Sequence, residues 1–113
     1  MKEIKAIIQP FMLGRVCDAL QQIPDLPGLT VSEVMGWGKA RAVEAKDPVQ
    51  EGGYTFARKT KVEIVLPDEL AETVARTIAE AAHTGNVGDG KIFVKEVDGV
   101  IKIRTSERGE AAI

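Results

Sequence analysis

The residues best suited to chemistry lie between Thr84 and Lys91, in the segment T-G-N-V-G-D-G-K. Gly85, Gly88 and Gly90 fall within six positions, and an apolar run follows the lysine directly. Glycine loses more conformational entropy on folding than any other residue, so this cluster indicates unusual backbone dihedrals or a ligand held close to the backbone. Successive N–H groups in a glycine loop can surround an anion, with Lys91 as an adjacent positive charge. The segment is therefore a candidate phosphate site.

Two other interpretations of this segment compete with phosphate binding. Gly85-x4-Gly90-Lys91 matches the beginning of a Walker A motif, but Ile92 occupies the position of the magnesium-binding Ser or Thr. The segment also leads from a helix into a strand, whereas a P-loop leads from a strand into a helix. The P-loop NTPase interpretation therefore fails. The purely structural interpretation stays open: Gly85 caps a helix and the next glycines form a turn.

Two further cations follow in V-I-K-I-R at 100–104. We expect strands at 91–97 and 100–104, joined by a hairpin turn at Asp98-Gly99. Lys102 and Arg104 would then share one strand face, because alternate residues of a strand point to the same side. They either assist anion binding or form a solvated face.

The elements that position these residues fall into two similar halves. I-I-Q-P-F-M-L at 7–13 resembles I-V-L-P-D-E-L at 64–70, and V-S-E-V at 31–34 resembles V-K-E-V at 94–97. In each half a strand stops at a proline, which cannot donate to a sheet ladder but can open a helix. We expect strands at 3–9, 29–36 and 61–66, and helices that follow Pro10 and Pro67.

Helical periodicity identifies the buried faces of the two helices. The predicted buried positions are Leu13, Val16, Cys17, Leu20 and Ile23 in the first helix, and Leu70, Val74, Ile78, Ala81 and Ala82 in the second. Two βαβ units predict one α+β domain over residues 1–113, with a ferredoxin-like fold in which both helices cover one face of a four-stranded antiparallel sheet. Apolar positions on the bare face predict burial between subunits.

More than 20 residues between Gly36 and Lys59 show no sustained helix or strand pattern. A loop of this length in a small domain is usually functional or disordered. We expect it to bind a partner or to become ordered by a ligand, with an idle insertion as the alternative. Trp37, at its base, is expected to be a packing anchor.

Charge and composition exclude several classes of function. The 113 residues carry a net charge of -2, without the cation excess of a nucleic-acid binder. The single cysteine cannot form an intramolecular disulfide, and no signal peptide or run of ~20 apolar residues is present. We therefore expect a cytoplasmic protein that does not insert into a membrane.

The sequence offers little for catalysis or metal binding. His83 is the single histidine, and we expect it to stabilise the end of the second helix instead of holding a metal. Glu107 and Glu110 lie on a polar tail, without the apolar surroundings that suit acid–base catalysis. No catalytic residue is predicted, and a slow ATPase is the enzymatic alternative.

The chain resembles the PII signal-transduction family over nearly its full length. The resemblance is carried by I-I-Q-P-F at 7–11, G-L-T-V-S-E-V at 28–34, G-W-G at 36–38, K-V-E-I-V at 61–65, T-G-N-V-G-D-G-K-I-F-V at 84–94 and I-R-T-S-E-R-G-E-A-A-I at 103–113. It implies a homotrimer that binds ATP, ADP or AMP in clefts between subunits. It also implies a partner-binding T-loop at about 38–59 and a C-terminal tail at about 103–113.

Matching positions imply a nucleotide and effector site in which Lys102 and Arg104 come from the neighbouring subunit. The full set is Ile7, Gly28, Leu29, Thr30, Gly36, Trp37, Gly38, Lys39, Lys59, Glu63, Val65, Gly88, Asp89, Gly90, Lys91, Lys102 and Arg104. Lys102 replaces the arginine usual in the family, which removes a bidentate fork but keeps the charge.

The T-loop departs from the family pattern. Ala40 stands where members that sense 2-oxoglutarate have glutamine, and an alanine side chain cannot coordinate magnesium. The position of the modified tyrosine falls at Gly52, two residues before Tyr54. Lys59 keeps the family's effector-binding lysine. With this altered T-loop, the sequence resembles divergent PII-like members, some of which occur with inorganic-carbon uptake or carboxysome systems and others with metal-efflux systems. That resemblance implies bicarbonate as the effector of a regulated transporter or metabolic enzyme, while magnesium binding stays open. The alternative is a nitrogen regulator of an ammonium channel or assimilation enzyme.

Overall fold

The computed structural model describes residues 1–37 and 48–113, and the predicted site residues Gly38 and Lys39, with Ala40, lie outside them. Its strands are β1 (Lys2–Ile8), β2 (Thr30–Gly36), β3 (Pro48–Glu51), β4 (Tyr54–Leu66) and β5 (Gly90–Glu96). Its α-helices are α1 (Leu13–Leu20) and α2 (Asp68–Ala82), and short 3-10 helices occupy Pro10–Met12 and Glu110–Ala112.

The main sheet has the strand order β2-β4-β1-β5, and every pairing in it is antiparallel. Central β1 pairs on both sides, so that Ile4 lies opposite Ile64 of β4 and Val94 of β5. Each half of the chain contributes a strand, a helix and a strand. The predicted ferredoxin-like double βαβ fold is confirmed.

The core lies between this sheet and the two helices. Alternate residues of β1 and β4 point toward the helices and are almost fully buried: Ile4, Ala6, Ile8, Val62, Ile64 and Leu66. They pack against buried residues of the helices, including Val16, Leu20, Val74 and Ile78. The predicted faces are close to those observed, although α2 buries Ala71 while Leu70 and Ala81 are only partly buried.

The prediction that residues between Gly36 and Lys59 lack regular structure is wrong for the second half of this stretch. β4 begins at Tyr54, and β3 pairs with it in a hairpin whose register joins Val49 to Phe56. Gly52 and Gly53 have φ of +57° and +83°, as a two-residue type I′ turn requires. The alternating runs on either side are short, so periodicity alone did not reveal the hairpin.

The expected strand at 100–104 and its turn at Asp98-Gly99 are also wrong. Only an isolated bridge joins Ile101 to Arg108. The N–H of Lys102 donates to the carbonyl oxygen of Glu107, and the N–H of Ser106 donates to that of Lys102, both at 2.8 Å. The segment folds on itself because these backbone groups bond locally instead of to β5.

The sheet face opposite the helices carries a mixture of apolar and charged side chains. Glu3 pairs with Lys95 at 3.2 Å across β1 and β5, and the Lys5 ammonium lies 5.5 Å from the centroid of the Phe93 ring. Its burial between subunits would therefore enclose charged groups together with apolar ones. No helix within the described ranges is long and apolar enough to cross a membrane.

Candidate functional site

The glycine loop after α2 has the unusual dihedrals that its sequence indicates. Gly85, Gly88 and Gly90 have φ of +89°, +98° and +103°, a region that residues with a Cβ rarely adopt. The loop enters β5 at Gly90, which lies opposite Ile8 in the sheet register.

Gly90 has a reason to be glycine that involves no ligand. A Cβ at this position would lie 1.7 Å from the carbonyl oxygen of Ile7, so the loop backbone packs directly against β1. Ile7 lies opposite Lys91 in the same pairing. This pairing fixes the position of the end of the glycine loop relative to the central strand β1. The Lys91 side chain is exposed.

Asp89 stabilises the conformation of the glycine loop through hydrogen bonds within the loop. Its carboxylate accepts N–H bonds from Thr84 at 2.8 Å and Gly85 at 2.9 Å, and also accepts the Thr84 hydroxyl. The Thr84 hydroxyl and these N–H groups lower the pKa of Asp89. The Asp89 oxygens are therefore engaged inside the loop, where they hold its backbone in place.

The expectation that Gly85 caps α2 is wrong. The helix ends at Ala82, His83 is its C-cap with an extended backbone, and the Gly85 N–H bonds to Asp89. His83 follows the helix as expected, and its Nδ1 lies 3.9 Å from an Asp89 oxygen.

Lys59 joins the glycine loop to β4. Its ammonium donates to the carbonyl oxygen of Gly88 at 2.5 Å. Burial lowers the pKa of Lys59, and the negative charge of Asp89 opposes that shift. Gly36 is beside the same side chain, since a Cβ there would lie 3.6 Å from Cγ of Lys59. A half-buried cation therefore stands at the loop where an anion is expected.

Sequence reasoning missed Gln9, which also reaches this position. Its Nε2 would lie 2.9 Å from a Cβ at Gly88. The only signal was its place at the end of β1, directly before Pro10. The sheet register, which sets Ile8 opposite Gly90, is needed to place Gln9 beside the glycine loop.

A separate open cleft of about 350 Å³ lies elsewhere on the domain. Four of the predicted site residues line this cleft, namely Gly28, Thr30, Glu63 and Val65, and the other lining residues are Glu3, Pro27 and Ile113. Leu29 packs against the core instead. Ile7 is not in this lining: it lies four residues from Glu3 along β1, about 13 Å away. Within one chain, the cleft and the glycine loop are therefore two separate parts of the predicted site.

Trp37, Lys102 and Arg104 are the remaining predicted site residues. Trp37 contacts Tyr54 edge to face, with ring centroids 5.4 Å apart. Lys102 forms an ion pair with Glu107 at 3.5 Å, and Arg104 is exposed in the C-terminal turn. Within residues 1–37 and 48–113, no group of three His, Cys, Asp or Glu side chains could hold a metal ion.

A ferredoxin-like sheet with an ordered glycine loop and a separate open cleft defines a small α+β binding domain. Its family follows from comparison with known proteins. The family model described as "Nitrogen regulatory protein P-II" matches residues 1–107. The chain therefore belongs to the P-II family, as its sequence motifs indicated.

Relatives of known name match over the full length of both chains. The chain is 49% identical to the nitrogen regulatory protein P-II of Rhizobium meliloti (strain 1021), and 45% identical to nitrogen regulatory protein P-II 1 of Escherichia coli (strain K12). The crystal structure of Arabidopsis thaliana PII bound to citrate is similar in fold, with a TM-score of 0.79 and 40% identity. That match covers 99% of this chain and 91% of the Arabidopsis chain.

Proposed function

We propose that this P-II family protein binds ATP, ADP or AMP at its glycine loop and transmits the bound state to a partner protein. The observation that carries the proposal is the ordered loop itself, with three glycines at positive φ and Lys59 bonded to Gly88. Preformed backbone donors beside lysine side chains match the chemistry of phosphate groups. Lys91 adds a second cation at the start of β5.

The separation of the two site regions supports assembly as a homotrimer. Within one chain, the cleft that contains Thr30 and Glu63 does not include the glycine loop, which agrees with a site that is completed by a second chain. In this proposal Lys102 and Arg104 approach the phosphates from the neighbouring subunit. Light scattering should report about three chains per particle, and a monomer at micromolar concentration would contradict the assembly.

The proposed effector is a small anion held at Lys59, with bicarbonate as the first candidate. Ala40 provides no side-chain oxygen or amide for a magnesium-bound keto acid. The Arabidopsis relative, whose structure has citrate bound, shows that a small carboxylate can bind to a member of this family. Nitrogen regulation through an ammonium channel or assimilation enzyme is the second candidate, favoured by the names of the full-length relatives.

The proposed contact with a cytoplasmic or membrane partner lies on the β3–β4 hairpin and the adjoining T-loop residues. Trp37 and Tyr54 are about half exposed although they contact each other. Exposed aromatic side chains are common at protein–protein contacts. A transporter or a metabolic enzyme remains the proposed class of partner, with no role in nucleic-acid binding.

Calorimetric titration tests the function and its alternatives together. ATP and ADP should bind, and bicarbonate should tighten nucleotide binding by the same factor by which nucleotide tightens bicarbonate binding. Micromolar affinity for 2-oxoglutarate with Mg-ATP would favour the nitrogen version instead. Steady-state hydrolysis at ~1 per second or more would support an ATPase and contradict a purely regulatory role.

A further inference from the structure

We propose that Ile113 contacts the base of the bound nucleotide: its side chain forms an apolar wall of the open cleft, against which a flat heterocyclic ring packs. This inference rests on the proposed function, since it names a residue that would contact the nucleotide held by the glycine loop. Ile113 belongs to the tail segment, residues 100–113, which also carries Lys102 and Arg104. The tail segment would therefore contribute to the site at both ends.

The lining of the cleft suits a flat, uncharged group better than a phosphate. Its volume of about 350 Å³ with Ile113 in place is within the ~300–1,000 Å³ of small-molecule sites, so Ile113 borders the space instead of filling it. Besides Gly28, the lining consists of apolar and oxygen-bearing side chains: Pro27, Val65 and Ile113, and Glu3, Thr30 and Glu63. Among the described residues that line the cleft there is no lysine, arginine or histidine.

The two carboxylates of the cleft already have cationic partners. The Lys95 ammonium lies 3.2 Å from a Glu3 oxygen, and the Lys61 ammonium lies 3.6 Å from a Glu63 oxygen. A carboxylate has more acceptor positions than one lysine uses, so both can still accept N–H or O–H groups of a ligand. A nucleobase with an exocyclic amino group provides such donors at the edge of a planar ring. The ring itself then needs apolar contacts, which Ile113 can supply.

The tail segment holds Ile113 at the cleft through its own backbone bonds. The Gly109 N–H donates to the carbonyl oxygen of Val100 at 3.0 Å. The chain then turns in a short 3-10 helix, and the Ile113 N–H donates to the carbonyl oxygen of Glu110 at 3.2 Å. The Ala112 side chain is buried and anchors this turn on the domain. The position of Ile113 is therefore set by the fold of the tail segment.

The same backbone bonds connect Ile113 to two cations. The loop that the Gly109 bond closes contains Lys102 and Arg104. In the proposed function these cations approach the phosphates of a nucleotide from the neighbouring subunit. A base that packs on Ile113 would stabilise the tail segment and, with it, the positions of both cations. Adenosine, which has the base but no phosphate, separates this effect from direct phosphate binding.

The test compares Ile113→Ala, which removes most of the apolar wall, with Ile113→Leu, which keeps the number of carbon atoms. Ile101→Ala is the matched control, because Ile101 is in the tail segment, is 53% exposed and does not line the cleft. ATP and inorganic tripolyphosphate are titrated into each whole protein by calorimetry. Adenosine is titrated separately and followed by the NMR signals of the Ile113 methyl groups.

We expect Ile113→Ala to weaken ATP binding about tenfold, through the loss of methylene-sized apolar contacts. Tripolyphosphate affinity should stay unchanged, because that anion has no base. Ile113→Leu should retain most of the wild-type affinity for ATP, and Ile101→Ala should match wild type with both ligands. In the wild type, adenosine should shift the Ile113 methyl signals and slow amide exchange at Lys102 and Gly109.

Unchanged ATP affinity in Ile113→Ala would overturn the assignment of Ile113. Equal losses of ATP and tripolyphosphate affinity would also overturn it, since they would indicate a structural role in the tail segment. So would Ile113 methyl signals that do not respond to adenosine. A wild type in which adenosine shifts these signals but ATP does not bind would contradict the proposed nucleotide function alone, so the two failures are distinguishable.

Discussion

Lys59 and Gly88 are directly joined: the lysine ammonium lies 2.5 Å from the glycine carbonyl oxygen. This bond ties β4, which continues into the β3–β4 hairpin, to the loop proposed to hold phosphate. A ligand that draws Lys59 away from Gly88 would change contacts on both elements. In the proposed function, this bond is the contact through which an anion at Lys59 and a nucleotide at the loop would affect each other's binding.

Anion binding at Lys59 should depend on pH in alkaline solution. Burial lowers the Lys59 pKa, whereas a bound anion favours the protonated ammonium and raises that pKa. Affinity should therefore fall as pH rises through the free-protein pKa, which lies below the ordinary lysine value of about 10.4. Proton uptake in that window should appear in calorimetric titrations in buffers with different ionisation enthalpies. Its persistence in Lys59→Met would show that another group titrates.

Gly90→Ala should destabilise the fold severely. The new Cβ would lie 1.7 Å from the Ile7 carbonyl oxygen, at a φ of +103°. We expect a loss of more than about 3 kcal/mol in the free energy of unfolding, measured with urea. The control is Gly99→Ala, where no atom lies within 4 Å of the added Cβ. There the change should be neutral or stabilise by up to about 1 kcal/mol. Equal effects would contradict the packing explanation.

The βαβ repeats were visible in the sequence because each strand and helix keeps its own hydrophobic period. The glycine loop was visible because glycine tolerates positive φ. The reason for Gly90 was not visible, since its close neighbour Ile7 is remote in sequence and meets it only through the β1–β5 register. Gln9 was missed for the same reason. Local periodicity cannot show which distant groups converge.

The two wrong strand assignments have another cause. V-I-K-I-R alternates as a strand would, but Lys102 and Ser106 satisfy their backbone hydrogen bonds within a local turn. The β3–β4 hairpin shows the opposite case, because β3 has only four residues and its pairing depends on the glycine turn. Whether a short segment forms a strand therefore depends more on the available pairing partner than on its residue pattern.

Acid should loosen the glycine loop through Asp89. Its folded-state pKa is lowered by the Thr84 hydroxyl and by N–H groups of Thr84 and Gly85. Its contribution to stability is therefore present above the ordinary aspartate value of about 3.9 and is lost as pH falls through the lower folded value. Urea unfolding as a function of pH should show this dependence, and Asp89→Asn should reduce it. An identical pH profile in both proteins would contradict the role of Asp89.

Thr84→Val offers a test at neutral pH. The valine keeps the side-chain shape but removes the hydroxyl that Asp89 accepts. We expect a loss of about 1 kcal/mol in unfolding free energy. Thr73→Val is a suitable control, because the Thr73 side chain is exposed on α2. Equal losses in the two variants would remove the evidence for a specific loop bond.

The hairpin should loosen when the Tyr54 ring is removed. Tyr54 meets Trp37 with centroids 5.4 Å apart, and an edge-to-face pair contributes about 0.5–1.5 kcal/mol. Tyr54→Ala should shift the emission of Trp37, the single tryptophan, and speed amide exchange in the hairpin while leaving β1 and α2 unchanged. Tyr54→Phe retains the ring and should behave as wild type. Equal exchange in the alanine and phenylalanine variants would contradict this role of the ring.

The most direct test of the nucleotide proposal is calorimetric titration of ATP and ADP into the wild type and Lys91→Ala. Loss of one charge-assisted phosphate bond should weaken binding by about 1.5–3 kcal/mol, with the fold intact by circular dichroism. Arg76→Ala removes the same charge from an exposed position on α2 and should leave affinity unchanged. Wild-type binding of both nucleotides with selective loss in Lys91→Ala is the predicted result. Equal nucleotide affinity in wild type and Lys91→Ala, or no binding by the wild type, would contradict it.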